Sequence, residues 1–233
     1  MKGWLKKQFP IAWRNAAERY YRWRFSARQL RRKLRRNRFG FENARNLTID
    51  LRYGGYCGGR IPSRFEQLGA HATTSTFYAE LAEVFDPRIG VQVSPTDVLV
   101  DIGCGKGRVI NFWLHQSLAN RLVGLELDPL VATAAQQRLA PYSNVQILVG
   151  DAIENLPSDG TLFYLYNPFG PRIVEALVRR LLVMARTRDI RIVYFSCFFL
   201  DAFSRDDWEI QPLPLNTVMP AALITPKRVA IEA

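Results

Sequence analysis

The sequence predicts one α/β domain preceded by a basic arm, and three observations lead to that prediction. Apolar residues make up 48% of the 233-residue chain, which is enough to close one hydrophobic core. From residue 94 onward, strand-like and helix-like segments alternate, a pattern typical of a mostly parallel sheet with helices on both faces. Positive charge is concentrated near the start of the chain. We therefore divide the chain into an arm, residues 1–45, and a folded domain, residues 46–233.

Residues 1–38 carry fourteen Lys and Arg residues against a single acid, Glu18, whereas the whole chain has a formal net charge of +11. Apolar and aromatic residues recur in this segment at spacings of three and four residues, which predicts a helix with one apolar stripe, here called the seam. Asn37 and Gly40 predict the end of this helix. The pattern leaves open an anionic membrane surface, nucleic acid or the chain's own domain as the partner of the arm. The seam consists of seven residues: Trp13, Ala16, Tyr20, Trp23, Ala27, Leu30 and Leu34.

The Cys and His content excludes several classes of protein. Cys57, Cys104 and Cys197 are too few and too scattered for a disulfide framework or a zinc site, and two histidines exclude a His-rich metal centre. We therefore expect no metal. An odd Cys count without a C-x-x-C motif indicates a reducing compartment, and the longest apolar run is too short to span a bilayer. We expect a cytoplasmic protein whose arm allows peripheral contact with the inner face of a membrane.

The periodicity of the domain predicts seven strands and four helices. The predicted strands are Val98–Ile102, 121–127, Val145–Val149, Leu162–Tyr166, 190–199, 208–215 and 221–231. The predicted helices are 77–85, 108–118, Pro129–Leu139 and 172–186, with residues 73–76 as a candidate cap for the first of them.

The most informative segment is Asp101-Ile-Gly-Cys-Gly-Lys-Gly107, which follows the first predicted strand. Glycines there allow a sharp turn and a close approach of the backbone to a ligand. Arg108 occupies the position that a dinucleotide-binding fingerprint needs small, and the phosphate-binding P-loop pattern is absent. An acid two residues before the glycines repels a pyrophosphate but suits a ligand with an ammonium group. S-adenosylmethionine, which is cationic at its amino group and at its sulfonium, has that chemistry.

Two further acids follow the next two predicted strands. Glu126 ends the second strand, where a carboxylate can accept hydrogen bonds from both ribose hydroxyls. Asp151 follows the third strand and is placed to accept from an adenine amino group, while Ala152 supplies a backbone N–H. Because the carboxyl ends of parallel strands share one edge of a sheet, we expect the three carboxylates to converge on one nucleoside.

These motifs resemble those of the class I S-adenosylmethionine-dependent methyltransferases, over roughly residues 70–233. The Gly-Lys-Gly-Arg and Tyr-Asn-Pro-Phe motifs are similar to those of a group of bacterial members, and distantly to the non-SET lysine methyltransferases. The resemblance implies a Rossmann-like, seven-stranded, mostly parallel sheet with an antiparallel last strand. It assigns Asp101, Gly103, Cys104, Gly105 and Gly107 to the methionine part of the cofactor, Glu126 to the ribose, and Asp151 with Ala152 to the adenine.

The resemblance also implies a catalytic role for Asn167, Pro168 and Phe169, which close the fourth predicted strand. In members that methylate amino groups, carbonyl oxygens at this position accept the target N–H groups, and an aromatic ring packs over the target. The second proline of that motif is replaced here by Phe169, and an Asn-Pro turn that merely ends a strand is the alternative interpretation.

The sequence therefore predicts a methyltransferase that uses S-adenosylmethionine and acts on a nitrogen of a protein or a small-molecule amine. Two alternatives stay open: an RNA or DNA methyltransferase that uses the basic arm, and a catalytically inactive cofactor-binding scaffold that recruits a partner. The sequence assigns no general base. It does not identify the methyl acceptor, although a protein amine is favoured.

Overall fold

The computed structural model describes residues 36–227, except residues 90 and 218. The seam predicted for the arm, residues 13–34, lies outside the described residues. Helix α1 spans Arg36–Arg52, so the helix end predicted at Asn37 and Gly40 is wrong. A glycine inside a helix costs only about 1 kcal/mol, and burial of Asn46, Ile49 and Asp50 further along α1 supplies packing that outweighs it. The arm boundary at residue 45 falls within this helix and stays a prediction.

The described residues form one seven-stranded sheet whose spatial order is β3-β2-β1-β4-β5-β7-β6. Strands β1 to β5 pair in parallel, and β7 runs antiparallel to both β5 and β6. This topology confirms the mostly parallel, Rossmann-like sheet with an antiparallel last strand. The strands are β1 (Val98–Ile102), β2 (Arg121–Glu126), β3 (Val145–Val149), β4 (Leu162–Tyr166), β5 (Arg191–Phe195), β6 (Trp208–Pro212) and β7 (Ala221–Pro226).

Four further α-helices are present in the described residues: α2 (Tyr78–Val84), α3 (Arg108–His115), α4 (Pro129–Leu139) and α5 (Pro171–Ala185). Helices α4 and α5 each begin with a proline, which tolerates the first helical position because no intrahelical N–H bond is needed there. Among the described helices, none is both long enough and apolar enough to cross a membrane.

Two hydrophobic clusters cover the two faces of the sheet. In β1, Leu99 belongs to one cluster and Val100 to the other, because successive side chains of a strand point to opposite faces. Helix α3 contributes the fully buried Trp113 to the first cluster, and α5 contributes the fully buried Leu181 to the second. Because both faces are buried, the central strands read as continuous apolar runs, which explains why they were predictable.

Several elements differ at their ends from the predictions. Strand β5 stops at Phe195 rather than at residue 199, because Ser196 takes a left-handed backbone conformation (φ 55°) that ends the pairing. Helix α3 ends at His115 rather than at residue 118, close to Ser117 with φ 57°. Capping of α2 by residues 73–76 is wrong: Thr76 Oγ1 instead hydrogen-bonds Tyr164 Oη at 2.9 Å, and the helix begins after Phe77.

A buried ion pair ties helices α1, α2 and α3 together. Asp50 is fully buried and accepts hydrogen bonds from Arg108 Nε (3.1 Å) and Nη2 (2.6 Å), Tyr78 Oη (2.8 Å) and the Cys57 N–H (3.0 Å). We call these four residues the Asp50 cluster. Arg108 is the first residue of α3 and directly follows the glycine loop. Its ion pair with Asp50 therefore anchors the loop and α3 to α1.

Candidate active site

A cleft of about 310 Å³ opens at the carboxyl edge of the parallel strands. Residues that follow β1, β2, β3, β4 and β5 line one side of it, and the irregular segment 61–74 lines the other. This is the edge at which open α/β sheets bind ligands. The predicted site residues that line the cleft are Gly103, Glu126, Asp151, Ala152, Asn167, Pro168 and Phe169.

Four predicted site residues, Asp101, Cys104, Gly105 and Gly107, do not line the cleft. The Cys104 thiol contacts Gly124 and is buried, and burial raises its pKa well above the ordinary value, so the thiol is an unreactive filler of the loop. Gly107 has φ 80° and forms the N-cap of α3.

Asp101 is a buried carboxylate that lacks one of its partners. Its side chain is 3% exposed, and its Oδ2 has no hydrogen-bond partner among the described residues. Burial, followed by the nearby Glu126 carboxylate, raises the pKa of Asp101 well above its ordinary value. An incompletely paired buried carboxylate is unfavourable in free energy, and a cationic ligand would relieve it.

The glycine loop is shaped by two side chains that pack closely against it. A Cβ at Gly103 would lie 2.7 Å from Pro168 Cβ, and a Cβ at Gly105 would lie 2.5 Å from Thr73 Cγ2. Both glycines also have positive φ, 75° and 54°. Only glycine allows this backbone conformation and this close approach together.

Glu126 is held at the cleft wall by backbone N–H groups. Its Oε2 accepts from the Gly105 N–H and its Oε1 accepts from the Asp128 N–H, both at 2.8 Å. Burial raises the pKa of Glu126, and these two N–H groups partly lower it again. Each carboxylate oxygen keeps a second acceptor site, so a ligand hydroxyl can still bind.

Asp151 and Ala152 occupy the cleft wall after β3. Asp151 is exposed and its Oδ1 accepts from the Ile153 N–H at 2.7 Å, which orients the carboxylate, while Ala152 is buried beneath it. The predicted adenine position is therefore more open to solvent than the positions at Asp101 and Glu126.

Asn167 follows β4 in a left-handed conformation, with φ 41°. Its Oδ1 accepts from Tyr194 Oη at 3.1 Å, and the Pro168 carbonyl accepts from the His71 N–H at 2.9 Å. Phe169 is only 8% exposed and pairs with Ala70 as an isolated β-bridge. The Asn167 side-chain oxygen and the Pro168 carbonyl oxygen are thus each fixed in place by one protein donor.

Sequence reasoning missed the contribution of segment 61–74. In that segment Arg64 forms a bidentate ion pair with Asp128, and His71 Nδ1 hydrogen-bonds the Asn167 carbonyl oxygen at 2.9 Å. Across the cleft, Phe198 is 56% exposed. The segment is irregular apart from one short 3₁₀ turn (Glu66–Leu68), so no periodic signal marked these residues. Within the described residues, no group of three or more His, Cys, Asp or Glu side chains could hold a metal ion.

Comparison with known proteins bears on this site. The model of the family described as "Methyltransferase domain" matches residues 100–163, the segment that contains the glycine loop, Glu126 and Asp151. This segment is therefore similar to a methyltransferase domain. The solved structure of the mitomycin 7-O-methyltransferase MmcR has a similar fold, with a TM-score of 0.51, 17% identity, and coverage of 65% of this chain and 54% of that chain.

Two curated relatives share sequence with part of this chain. One is the ribosomal RNA small subunit methyltransferase A of Thermotoga maritima, 33% identical over 104 residues, which is 40% of this chain and 35% of the relative. The other is the probable ribosomal RNA small subunit methyltransferase A of Methanosarcina acetivorans, 26% identical over 66 residues, which is 28% of this chain and 24% of the relative. The chain thus spans about a third or less of the curated relatives it matches.

Proposed function

We propose that the domain binds S-adenosylmethionine in the cleft and methylates a nitrogen of a protein or a small-molecule amine. The observation that carries the proposal is Asp101, a buried carboxylate with an unpartnered oxygen beside a loop that only glycines can form. A ligand with an ammonium group would give this oxygen a charged donor, which is worth about 1.5 to 3 kcal/mol for such a hydrogen bond.

The remaining wall of the cleft suits the rest of the cofactor. We assign the ribose hydroxyls to Glu126, whose oxygens each accept one N–H and keep a further acceptor site. We assign the adenine amino group to Asp151, whose carboxylate is exposed on the cleft wall. Because β1, β2 and β3 are adjacent, these assignments follow the strand order along one edge.

When bound, the cofactor supplies a methyl group on a positively charged sulfur. The chain's own residues then have to orient the acceptor nitrogen and exclude water, because an in-line geometry replaces a costly bimolecular encounter. Asn167 Oδ1 and the Pro168 carbonyl oxygen each hold one protein donor and retain a second acceptor site. Two N–H groups of the acceptor could bind these sites, which would turn its lone pair away from them.

Titration calorimetry tests cofactor binding. S-adenosylmethionine should bind saturably to the wild type, and D101N and E126Q should each weaken binding at least about tenfold. The matched control is D159N, because Asp159 is an exposed carboxylate paired with Arg121 outside the cleft. Equal affinity of D101N and the wild type would refute the assignment.

The acceptor is tested by incubating the full chain with tritiated S-adenosylmethionine and fractionated lysate. On this proposal the label enters protein or small amines, and protease removes the protein-bound part. The absence of turnover on every fraction would favour the alternative of a binding scaffold.

An RNA substrate is the second candidate, and two observations favour it. The curated relatives are ribosomal RNA methyltransferases by name, and residues 1–38 carry a strong excess of positive charge. In that case ribonuclease would release the label, and RNA affinity would fall steeply with salt because phosphate contacts release counterions.

A further inference from the structure

The first observation concerns the position of His71, which lines the cleft opposite the cofactor wall. Its backbone N–H donates to the Pro168 carbonyl and its ring nitrogen Nδ1 lies 2.9 Å from the Asn167 carbonyl oxygen. Two hydrogen bonds thus join one histidine to the two residues that we propose orient the acceptor. The imidazole is therefore held at a fixed place beside the acceptor position.

The second observation is that the hydrogen-bond partner of Nδ1 determines which ring nitrogen of His71 carries the proton. A carbonyl oxygen can only accept, so Nδ1 must carry the proton in this hydrogen bond. In the neutral ring the lone pair then resides on Nε2, and no residue that the structure describes hydrogen-bonds this atom. A neutral imidazole with a fixed tautomer and an open Nε2 is the form that a general base requires.

The backbone around the imidazole is constrained on both sides. Ala70 pairs with Phe169, and Ile61 pairs with Thr73, as isolated β-bridges. On the other side, Tyr194 Oη holds the Asn167 side chain. The imidazole of His71 therefore keeps its position relative to Asn167 and Pro168, and general-base catalysis needs such a fixed geometry.

The carboxylates that line the same cleft are less suited to take a proton. Glu126 accepts a backbone N–H at each oxygen, and Asp128 is paired with Arg64, whose guanidinium lowers the pKa of that carboxyl. Asp151 lies beyond Glu126 on the adenine side of the cleft. The other ionisable groups near His71 are Tyr166 in the cleft, and Arg60 and Glu66, which line a shallow groove with His71.

We propose that His71 is the general base of the methyl transfer, an inference that rests on the proposed function. The acceptor nitrogen forms a bond to the methyl carbon while the carbon–sulfur bond breaks and sulfur keeps the bonding pair. After the transfer, one of the two N–H groups of the methylated nitrogen turns from its carbonyl oxygen to Nε2 of His71. The proton moves to Nε2, giving an imidazolium that donates from both ring nitrogens. The imidazolium then returns the proton to solvent at the open mouth of the cleft.

The test uses the fact that the chain contains two histidines, His71 and His115. His115 lies on α3, packs against Tyr53 and does not line the cleft, so H115Q is the matched control for H71Q. Nitrogen-15 spectra of the full chain, labelled at histidine and assigned with the two variants, report the tautomer of His71 without any turnover. We expect the proton on Nδ1 in the neutral form, and a proton on Nε2 would overturn the proposal.

Kinetics supply the second readout, with the lysate fraction that the wild type labels as the acceptor. We expect H71Q to lower kcat by about 10²-fold or more, to bind S-adenosylmethionine within twofold of the wild type, and to lose the acidic limb of the pH profile. H115Q should keep all three properties of the wild type. A kcat of H71Q within threefold of the wild type, or an unchanged acidic limb, would overturn the proposal. If the wild type itself neither binds the cofactor nor transfers label, the proposed function fails instead.

Discussion

Two buried aspartates near the glycine loop, Asp50 and Asp101, have opposite hydrogen-bond environments. Asp101 precedes the loop in the sequence, and Asp50 pairs with Arg108, which follows it. Asp50 is fully buried and is surrounded by a guanidinium, a phenol and a backbone N–H. Asp101 is almost as buried, yet one of its oxygens has no partner among the described residues, and the negative charge of Glu126 adds to burial in raising its pKa. The first arrangement is complete without a ligand, whereas the second leaves an acceptor that a proton or a cationic ligand can satisfy. On our proposal, satisfaction of the buried charge, rather than burial itself, distinguishes the structural carboxylate from the binding one.

The largest effect is expected from R108M. Methionine fills similar volume but leaves Asp50 buried without its cation, and breaking a buried pair in this way costs about 3 to 5 kcal/mol. Denaturant unfolding measures the loss. The control R88M removes a guanidinium whose pair with Asp86 is exposed, and it should leave the midpoint almost unchanged. A small loss for R108M, similar to that of the control, would contradict the structural role of Asp50.

The next largest effect is expected from G105A, in the middle of the glycine loop. A left-handed φ costs a non-glycine residue about 1 to 2 kcal/mol, and overlap with Thr73 Cγ2 adds about 1 to 3 kcal/mol. G59A is the matched control, because Gly59 has φ 81° with open space around its Cβ position. G105A should therefore destabilise the protein more than G59A does. Adding T73S to G105A should remove this excess loss of stability, because serine lacks the Cγ2 that the new Cβ would overlap. Equal losses in both variants would contradict the close contact.

D101N should raise the stability of the ligand-free protein at high pH, although it weakens binding of the cofactor. The pKa of Asp101 is higher in the folded than in the unfolded state, so folding binds a proton and wild-type stability falls as pH rises from the unfolded pKa of about 3.9 towards the raised folded pKa. At pH 8, D101N should be more stable than the ligand-free wild type by about 1 to 3 kcal/mol, and this advantage should shrink at pH 4.

A companion measurement follows the proton itself. At a pH below the raised folded pKa of Asp101, cofactor binding to the wild type should release a proton from this residue, which calorimetry detects as a dependence of the binding enthalpy on the buffer. The control D159N should release the proton as the wild type does. Lower stability of D101N at pH 8 would contradict the unsatisfied environment of Asp101.

The smallest effect is expected from R64Q. Arg64 pairs with Asp128 as Arg108 pairs with Asp50, but the Arg64 side chain is 51% exposed and water screens the pair. The change in the unfolding midpoint should be smaller than that of G105A and should disappear in 1 M NaCl. An effect as large as that of R108M would contradict the distinction between exposed and buried pairs.

Much of the fold was predictable because it is encoded locally. The bounds of β1, β3, β4 and α4 agree with the predictions. Strands β1 and β4 are buried and mostly apolar, and α4 has both a capping aspartate and an initial proline. The errors lie where packing overrides local preference. Helix α1 continues through Gly40, and Thr76 bonds a tyrosine of β4 instead of capping α2.

The candidate site divides in the same way. The acids were recognisable because each lies at or directly after the end of a strand, and the structure brings Glu126 and Asp151, but not Asp101, to the lining of the cleft. His71, Arg64 and Phe198 were not recognisable, because they come from irregular segments. Their positions depend on contacts such as that between His71 and Asn167, which are 96 residues apart in the chain.

By itself, the sequence determined the sheet, its glycine loop and the order of carboxylates along its edge. Strand periodicity and turn chemistry act over a few neighbouring residues, so they can be read without coordinates. Only the tertiary structure decided which buried charge found a partner, Asp50 and not Asp101, and which imidazole faces the Asn-Pro-Phe turn. Hydrogen bonds between distant segments depend on how the whole chain packs, and no local pattern encodes them.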